Sequence, residues 1–188
     1  MLSRNKKLML DERNGENLKN IVLIGFMGVG KTTIGKRVAA KLKIDFYDTD
    51  EAIAKCEKMP VHVLLKKKGP RYFEGAQRFA ASTLAQNEGV IISTGGDTVT
   101  DEFNVAELQK NGILVWLNAT PETVYKNTRH SISKRPELEK VTLTELSEMI
   151  KKREPYYEKA DIVISVDHDS IDDVVDKIVT EYKARMNK

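Results

Sequence analysis

The stretch Gly25-Phe26-Met27-Gly28-Val29-Gly30-Lys31-Thr32 decides the fold, because it is a complete G-x-x-x-x-G-K-[ST] phosphate-binding loop. The apolar segment Ile21–Ile24 precedes it and is typical of a buried parallel strand, and residues 32–41 after it have helical patterning. Strand, loop and helix therefore follow one another in the order that such a loop requires.

The residue types in this loop suit a triphosphate. Gly28 and Gly30 leave room for backbone N–H groups to approach phosphate oxygens, and the following helix directs its positive end toward the anion. Lys31 supplies a mobile positive charge for the β- and γ-phosphates, and the Thr32 hydroxyl is a ligand for Mg²⁺. The loop alone therefore predicts nucleotide binding.

Length and composition limit the remaining possibilities. The chain has 188 residues, enough for one domain with a full core. Charged residues make up 31% of the sequence with a net charge of +3, and both signs are interspersed, which argues against a nucleic-acid-binding stripe. Cys56 is the only cysteine, which excludes an intramolecular disulfide and fits a reducing compartment. The three histidines lie far apart, so we do not expect a transition-metal site.

The sequence predicts one domain with a short extension. Residues 1–19 are polar and have neither a hydrophobic signal region nor the composition of a transit peptide, so we interpret them as an N-terminal extension to a domain spanning 20–188. No apolar run reaches the roughly 18 residues of a membrane span. We therefore expect a cytoplasmic protein that does not bind membranes, and we expect it to be a monomer.

Short apolar segments recur along the chain with helix-length stretches between them. This alternation predicts an α/β fold of three layers, a five-stranded parallel sheet with helices on both faces. The predicted strands are Ile21–Ile24, Ile44–Tyr47, Val90–Ser93, Ile113–Leu117 and Ile162–Val166. Three helix starts carry capping signals, at Thr120-Pro121-Glu122, Thr142–Glu145 and Ser170–Asp173.

Polar residues follow the predicted strands at the edge where ligands of such sheets bind. Asp48 and Asp50 end the second strand two residues apart, on the same side of an extended chain, and Gly95-Gly96-Asp97 follows the third. Later in the chain come Lys134-Arg135-Pro136 and, near the end of a helical stretch, Arg153. Each could be a turn, a cap or a surface residue. Their shared position favours phosphoryl transfer, which needs a metal-holding acid, a base and cations.

From about residue 20 to its end, the chain resembles the shikimate kinases, with motifs in the order and spacing of that family. The resemblance rests on Gly25–Thr33, Phe46-x-Asp48-x-Asp50, Thr94-Gly95-Gly96, Lys134-Arg135-Pro136 and Arg153-x-Pro155-x-Tyr157-x-x-Ala160-Asp161. It implies a P-loop fold like that of nucleoside monophosphate kinases, with a substrate-binding region at about 48–80 and a lid at about 127–141. The implied reaction moves the γ-phosphoryl group of ATP to the 3-hydroxyl of shikimate, in aromatic amino acid biosynthesis.

The resemblance also implies a role for each matching residue. Lys31, Asp50 and Arg135 would be catalytic, with Asp50 as the base and Arg135 closing over the phosphates. Thr32 and Asp48 would hold Mg²⁺. The implied ATP-binding residues are Gly28, Val29, Gly30, Lys31, Thr32, Thr33 and Arg135. The substrate would contact Asp50, Gly95, Gly96 and the residues at positions 74 and 97, and Arg153 would bind its carboxylate.

Several positions depart from the family pattern. Glu74 stands where the family has an arginine that binds the shikimate carboxylate, Gln77 replaces the glutamate that holds that arginine, and Asp97 replaces a glycine. Thr128 replaces a lid arginine. If Pro70 opens a helix, Arg71 and Arg78 lie three residues before and four after Glu74, where either could compensate for its charge.

These departures leave three functions open. The first is an ATP-dependent kinase of shikimate with a rearranged carboxylate site. The second is a kinase of a related non-acidic or amine-bearing polyol, which Glu74 and Asp97 would favour. The third is a nucleotide-binding protein without kinase activity. The third is disfavoured by the retention of four residues, which are Lys31, Asp48, Asp50 and Arg135.

Overall fold

The structure is a computed structural model that describes residues 18–129 and 140–187. Its strands are β1 (Asn20–Ile24), β2 (Phe46–Asp48), β3 (Ile91–Ser93), β4 (Gly112–Asn118) and β5 (Ile162–Ser165). Its helices are α1 (Lys31–Leu42), α2 (Thr49–Glu57), α3 (Val61–Lys68), α4 (Pro70–Ala85), α5 (Glu102–Lys110), α6 (Pro121–Arg129), α7 (Leu143–Tyr157) and α8 (Ile171–Met186), with a 3₁₀ turn at Thr98–Thr100.

The strands form one sheet in the order β2-β3-β1-β4-β5, and every neighbouring pair is parallel. The predicted five-stranded parallel sheet is therefore confirmed. β1 lies at the centre between β3 and β4, because the chain passes to one side of it first and to the other side later. Ligands of parallel sheets bind at the strand ends where this change of direction occurs, which places the phosphate loop there.

The position of the central strand in the core explains why its sequence is an unbroken apolar run. Residues 21–24 are fully buried, since helices cover both faces of the sheet. A smaller apolar cluster lies outside this core, where Ile53, Leu64 and Ala80 pack between α2, α3 and α4. At the start of the described chain, Leu18 is buried and its carbonyl accepts a hydrogen bond from the Gly89 N–H at 2.7 Å.

Most local predictions agree with the structure. α6 begins at Pro121, and Thr142 and Ser170 both form capping boxes, with Glu145 and Asp173 respectively. The second strand was placed too early, because β2 begins at Phe46 rather than at residue 44. Over the described residues, none of the helices has the length and apolar character needed to cross a membrane.

Candidate active site

The phosphate loop joins the end of β1 to the start of α1. Gly28 and Gly30 have φ angles of 87° and 98°, a region that side-chain-bearing residues seldom adopt. These angles turn the chain sharply, so that α1 begins at Lys31 with Gly30 as its cap. The backbone N–H groups at the start of α1 form a ready site for an anion.

Lys31 is buried within this loop, which is unusual for a lysine. Its Nζ donates hydrogen bonds to the Gly25 carbonyl at 2.7 Å and to the Phe26 carbonyl at 3.0 Å. These contacts hold the ammonium group against the backbone that would surround a phosphate. The positive charge is therefore positioned before any nucleotide binds.

Thr32 and Asp48 meet across the start of α1 and the end of β2. The Thr32 hydroxyl donates to Asp48 Oδ2 at 2.9 Å. The other carboxylate oxygen, Oδ1, accepts from the N–H groups of Asp50 and Glu51 and caps α2. Mg²⁺ binds through one or two protein oxygens, phosphates and water, so a hydroxyl beside a carboxylate fits this ion.

Asp50 lies in the first turn of α2, because the extended chain ends at Asp48. The prediction that Asp48 and Asp50 share one side of a strand is therefore wrong, since the helix begins between them. The Asp50 carboxylate lies instead beside the loop after β3: a Cβ built at Gly95 would be 2.5 Å from Asp50 Oδ1. The neighbouring Thr49 fixes this contact, because its Oγ1 accepts from the Gly95 N–H at 2.8 Å.

The loop 95–97 lies between the phosphate loop and α7. A Cβ built at Gly96 would be 3.4 Å from the Met27 nitrogen, so this loop passes directly beside the phosphate loop. On its other side, the Tyr157 hydroxyl donates to the Gly96 carbonyl at 2.9 Å. Burial, together with the negative charge of Asp97, raises the pKa of the Tyr157 hydroxyl far above its usual range. Tyr157 therefore remains protonated and a hydrogen-bond donor at neutral pH.

Tyr157 also contacts the chain's single tryptophan. The ring centroids of Tyr157 and Trp116 are 5.8 Å apart. Trp116 lies on β4 and borders the first residue of the phosphate loop, because a Cβ at Gly25 would be 3.4 Å from Trp116 Cδ1. One aromatic pair thus lies between the phosphate loop and the loop 95–97.

Arg153 and Asp97 form an ion pair at the solvent side of this loop. Arg153 Nε lies 2.7 Å from Asp97 Oδ1, and their side chains are 37% and 48% exposed. Arg153 lies one helical turn before Tyr157 on α7, so both side chains reach the same loop. The structure thus brings two predicted substrate residues, Arg153 and Asp97, into direct contact with each other.

α4 carries two of the residues that depart from the family pattern, Glu74 and Gln77. Pro70 opens this helix as predicted, and Glu74 is exposed while Gln77 is buried. Arg78 forms an ion pair with Asp101, the N-cap residue of α5: Arg78 Nε lies 2.6 Å from Asp101 Oδ2. This contact lowers the pKa of Asp101. The pKa of Arg78 is raised mainly by Asp101 and to a smaller degree by Glu74.

Arg71 has different surroundings from Arg78. It lines an apolar groove of about 490 Å³ between α2 and α4, whose lining does not include Glu74. Arg71 and Arg78 thus lie on the same helix as Glu74, as the spacing predicts. Glu74 acts on Arg78 electrostatically, but the closest acid to Arg78 is Asp101.

α6 lies against the phosphate loop. The Asn127 side-chain amide donates to the Gly28 carbonyl at 3.0 Å, and a Cβ at Gly28 would be 2.6 Å from Thr128 Cγ2. Arg129 lies over the Tyr125 ring and donates to the Val141 carbonyl, which links the two described ends of the predicted lid. The predicted lid residue Arg135 lies outside the described residues.

Three residues contribute to this site without having been predicted from the sequence. Thr49 and Tyr157 hold the loop 95–97, and Asn127 holds the phosphate loop. Tyr157 belongs to a motif that was recognised, although its spacing carries no sign of a partner 61 residues away. Thr49 and Asn127 act on backbone groups, which almost any polar residue can bind, so their residue types alone do not identify them.

Comparisons with known proteins agree with this geometry. The sequence model of a family described as shikimate kinase matches residues 27–183. The shikimate kinase of Caldanaerobacter subterraneus subsp. tengcongensis is 36% identical over 169 residues, which cover 88% of this chain and 96% of that protein. The shikimate kinase of Caldicellulosiruptor saccharolyticus is 37% identical over 172 residues, covering 91% and 99%.

Solved structures give the same result. The chain superposes on a shikimate kinase from Acinetobacter baumannii in complex with shikimate with a TM-score of 0.83 and 28% identity, covering 91% of this chain and 96% of that one. The shikimate kinase from Aquifex aeolicus gives a TM-score of 0.75 at 28% identity, with coverages of 89% and 98%.

Proposed function

We propose that this chain, which belongs to the shikimate kinase family, transfers the γ-phosphoryl group of ATP to the 3-hydroxyl of shikimate. Family membership rests on the match over residues 27–183 and on relatives of 36–37% identity. The observation that carries the proposal is the contact of the Asp50 carboxylate with Gly95, in a loop that lies directly beside the phosphate loop. A base and a phosphoryl donor would thereby meet at one edge of the sheet.

The phosphate loop binds the donor in this proposal. Backbone N–H groups of the loop and of the first turn of α1 surround the β- and γ-phosphates. Thr33, in that first turn, is a further proposed ATP-binding residue. Lys31 stabilises the negative charge on the phosphoryl oxygens while the phosphoryl group moves from donor to acceptor. Because its ammonium group is already held in the loop, little reorganisation accompanies the reaction.

Thr32 and Asp48 are the proposed residues for Mg²⁺. The Thr32 hydroxyl would be a direct ligand, and Asp48 would orient it and bind through water. When bound, the ion supplies charge neutralisation to the β- and γ-phosphates. Asp48 is held in turn by two backbone N–H groups, so its oxygens keep a fixed direction.

Asp50 is the proposed base. As the acceptor hydroxyl oxygen bonds to the γ-phosphorus, the bond from phosphorus to the β,γ-bridging oxygen breaks and ADP leaves. The hydroxyl proton passes to the Asp50 carboxylate. Gly95 and Gly96 let the ring of the acceptor approach the backbone closely, because neither carries a side chain.

The carboxylate of the acceptor is the proposed partner of Arg153. A guanidinium group matches a carboxylate with two parallel N–H donors. On the lid, Arg135 is proposed to add positive charge over the phosphates once the lid excludes water. Glu74 would lie on the substrate side as well, where it disfavours an anion.

A second candidate acceptor is a related polyol without a negative charge, or one that carries an amine. The Asp97–Arg153 ion pair favours this candidate, because it neutralises the guanidinium that an acidic acceptor would use. Glu74 adds a second negative charge in the same region of the proposed site.

One experiment separates the candidates. The full chain is purified and supplied with Mg·ATP and either shikimate, a neutral cyclic polyol or an amino-polyol, and both ADP and phosphorylated product are measured. We expect shikimate to react with kcat/KM of about 10⁴ M⁻¹s⁻¹ or more, in the ordinary range of enzymes. Asp50→Asn should abolish turnover while ATP binding persists. Faster turnover of either polyol than of shikimate would contradict the proposal.

We further propose that the enzyme works as a monomer in the cytoplasm, with a catalytic domain that begins at Leu18 rather than at residue 20, because Leu18 is buried and its carbonyl accepts a hydrogen bond from the Gly89 N–H. The cysteine count of one fits a reducing compartment such as the cytoplasm. Light scattering at working concentration tests the monomer, and a fully active variant beginning at residue 18 would support the division of the chain.

A further inference from the structure

We propose that Asp97 competes with the substrate carboxylate for Arg153 and thereby sets how strongly the enzyme prefers an acidic acceptor. This inference rests on the proposed function, in which Arg153 binds that carboxylate. It concerns a residue where the sequence departs from the family pattern, and it assigns the departure a measurable effect on substrate choice.

The first support is geometric. Asp97 Oδ1 lies 2.7 Å from Arg153 Nε, so the acid already occupies one edge of the guanidinium in the free enzyme. Both side chains are more than a third exposed, so solvent and substrate can reach the pair. An incoming carboxylate must either displace Asp97 or share the guanidinium with it. In both cases its binding is weaker than to an unoccupied arginine.

The second support is the local charge. Asp97 pairs with Arg153, and Arg78 pairs with Asp101, which caps the helix that follows the same loop. Arg78 is engaged by Asp101, so it offers little to offset Asp97. An anion that binds beside Arg153 therefore meets a guanidinium whose charge Asp97 already neutralises.

The third support is that the Asp97 side chain can be changed without disturbing the loop. The backbone carbonyl of Asp97, not its carboxylate, accepts the hydrogen bonds from the Thr100 N–H at 3.1 Å and from its hydroxyl at 2.8 Å. The φ angle of Asp97 is −101°, which any L-residue adopts. The loop is also held by Tyr157 and Thr49, neither of which bonds to the Asp97 side chain.

The competition should act on binding and leave the chemical step unchanged. Asp97 is not one of the residues proposed to contact the phosphoryl group or the reacting hydroxyl. An interaction that is equal in the ground state and the transition state changes KM and leaves kcat constant. An acceptor without a carboxylate should be insensitive to Asp97.

The test compares Asp97→Asn with the unmodified chain on two acceptors, shikimate and its methyl ester, which has the same hydroxyls without the negative charge. We expect the variant to lower KM for shikimate roughly fivefold, the size of an exposed charge pair, with kcat unchanged and with the ester unaffected. The control is Glu102→Gln, which removes one negative charge from an exposed pair with Lys159. It should move neither KM.

The outcomes distinguish a failure of this inference from a failure of the proposed function. If shikimate reacts but its KM is the same or higher in Asp97→Asn, Asp97 does not compete and the inference is overturned while the proposed function stands. Equal changes for shikimate and ester would show a purely structural role and would also overturn it. If neither protein phosphorylates shikimate, the proposed function fails. Calorimetric binding of shikimate to both proteins then tests the inference alone, with tighter binding to the variant supporting it and equal binding rejecting it.

Discussion

The phosphate half of the site and its acceptor half rely on different kinds of chemical group. The phosphate half, Gly25–Thr33 with Asp48, relies on backbone groups and buried side chains beside the central strand. The proposed acceptor half, which comprises Asp50, the loop 95–97, Glu74 and Arg153, relies largely on charged side chains that are partly or fully exposed. The first half matches the family pattern, and the second departs from it at Glu74 and Asp97.

The contrast has a physical cause. A substitution in the phosphate loop changes backbone angles that few residues adopt, or leaves a buried group without its hydrogen bond, so it affects folding as well as binding. A substitution among exposed charges costs little stability, since such pairs contribute about 0–1 kcal/mol. The acceptor half can therefore change its charges while the fold stays the same.

The largest effect is expected from the phosphate half. Lys31→Met removes the positive charge that stabilises the transferring phosphoryl group, and we expect kcat to fall about 10³-fold. Steady-state kinetics with saturating ATP measure this change. Lys36→Met is the matched control, because Lys36 lies on the exposed side of α1. A loss of less than tenfold in Lys31→Met would remove Lys31 from the catalytic residues.

The contact between Asp50 and Gly95, within the acceptor half, gives the next largest effect. Gly95→Ala would place a Cβ 2.5 Å from Asp50 Oδ1, so the carboxylate must move. A displacement of about 1 Å in a reacting group costs about 10²-fold in rate, and we expect that loss in kcat/KM. Gly75→Ala is the control, because nothing lies within 4 Å of a Cβ there. Equal activity of the two variants would mean that Asp50 need not hold its position.

Asp48→Asn tests the proposed magnesium site with a smaller change. Asparagine also caps helices well, so α2 should remain stable while the carboxylate charge is lost. We expect the Mg²⁺ concentration for half-maximal activity to rise roughly tenfold, as for other residues that orient a metal ligand. Titration of Mg²⁺ at fixed ATP measures it. Exposed Asp45, changed to Asn, should leave the titration unaltered.

Tyr157→Phe should have the smallest effect of the four. It removes the hydrogen bond to the Gly96 carbonyl, which we expect to cost about 1 kcal/mol and to lower Tm by about 3 °C. KM for shikimate should rise two- to threefold, an order-of-magnitude estimate for a loosened substrate loop. Tyr156→Phe, on the exposed neighbour, is the control. An unchanged melting temperature would show that this bond does not fasten the loop.

The two halves also differ in how well the sequence predicted them. The phosphate half is local: strand, loop and helix follow one another, and their pattern predicts both the fold and the placement of Lys31 and Thr32. The acceptor half joins distant segments. The Asp97–Arg153 pair depends on how α7 packs against the loop after β3, and no periodicity near either residue indicates it.

Arg78 illustrates the same limit within one helix. Helical spacing correctly places it one turn after Glu74. Its nearest acid is nevertheless Asp101, the N-cap residue of α5, since the packing of α4 against α5 brings these side chains together. The error over Asp50 has another origin, because the alternation of a strand assumes that the strand continues, and here a helix begins at Thr49.

Trp116 makes the two halves separately observable. It is the only tryptophan, so light absorbed near the red edge of the protein spectrum excites this residue alone. Its ring borders the phosphate loop at Gly25 and also contacts Tyr157, whose hydroxyl holds Gly96. Intrinsic fluorescence, without any added label, should therefore respond to nucleotide through one neighbour and to the acceptor through the other. Rapid mixing would then give the order in which the two substrates arrive.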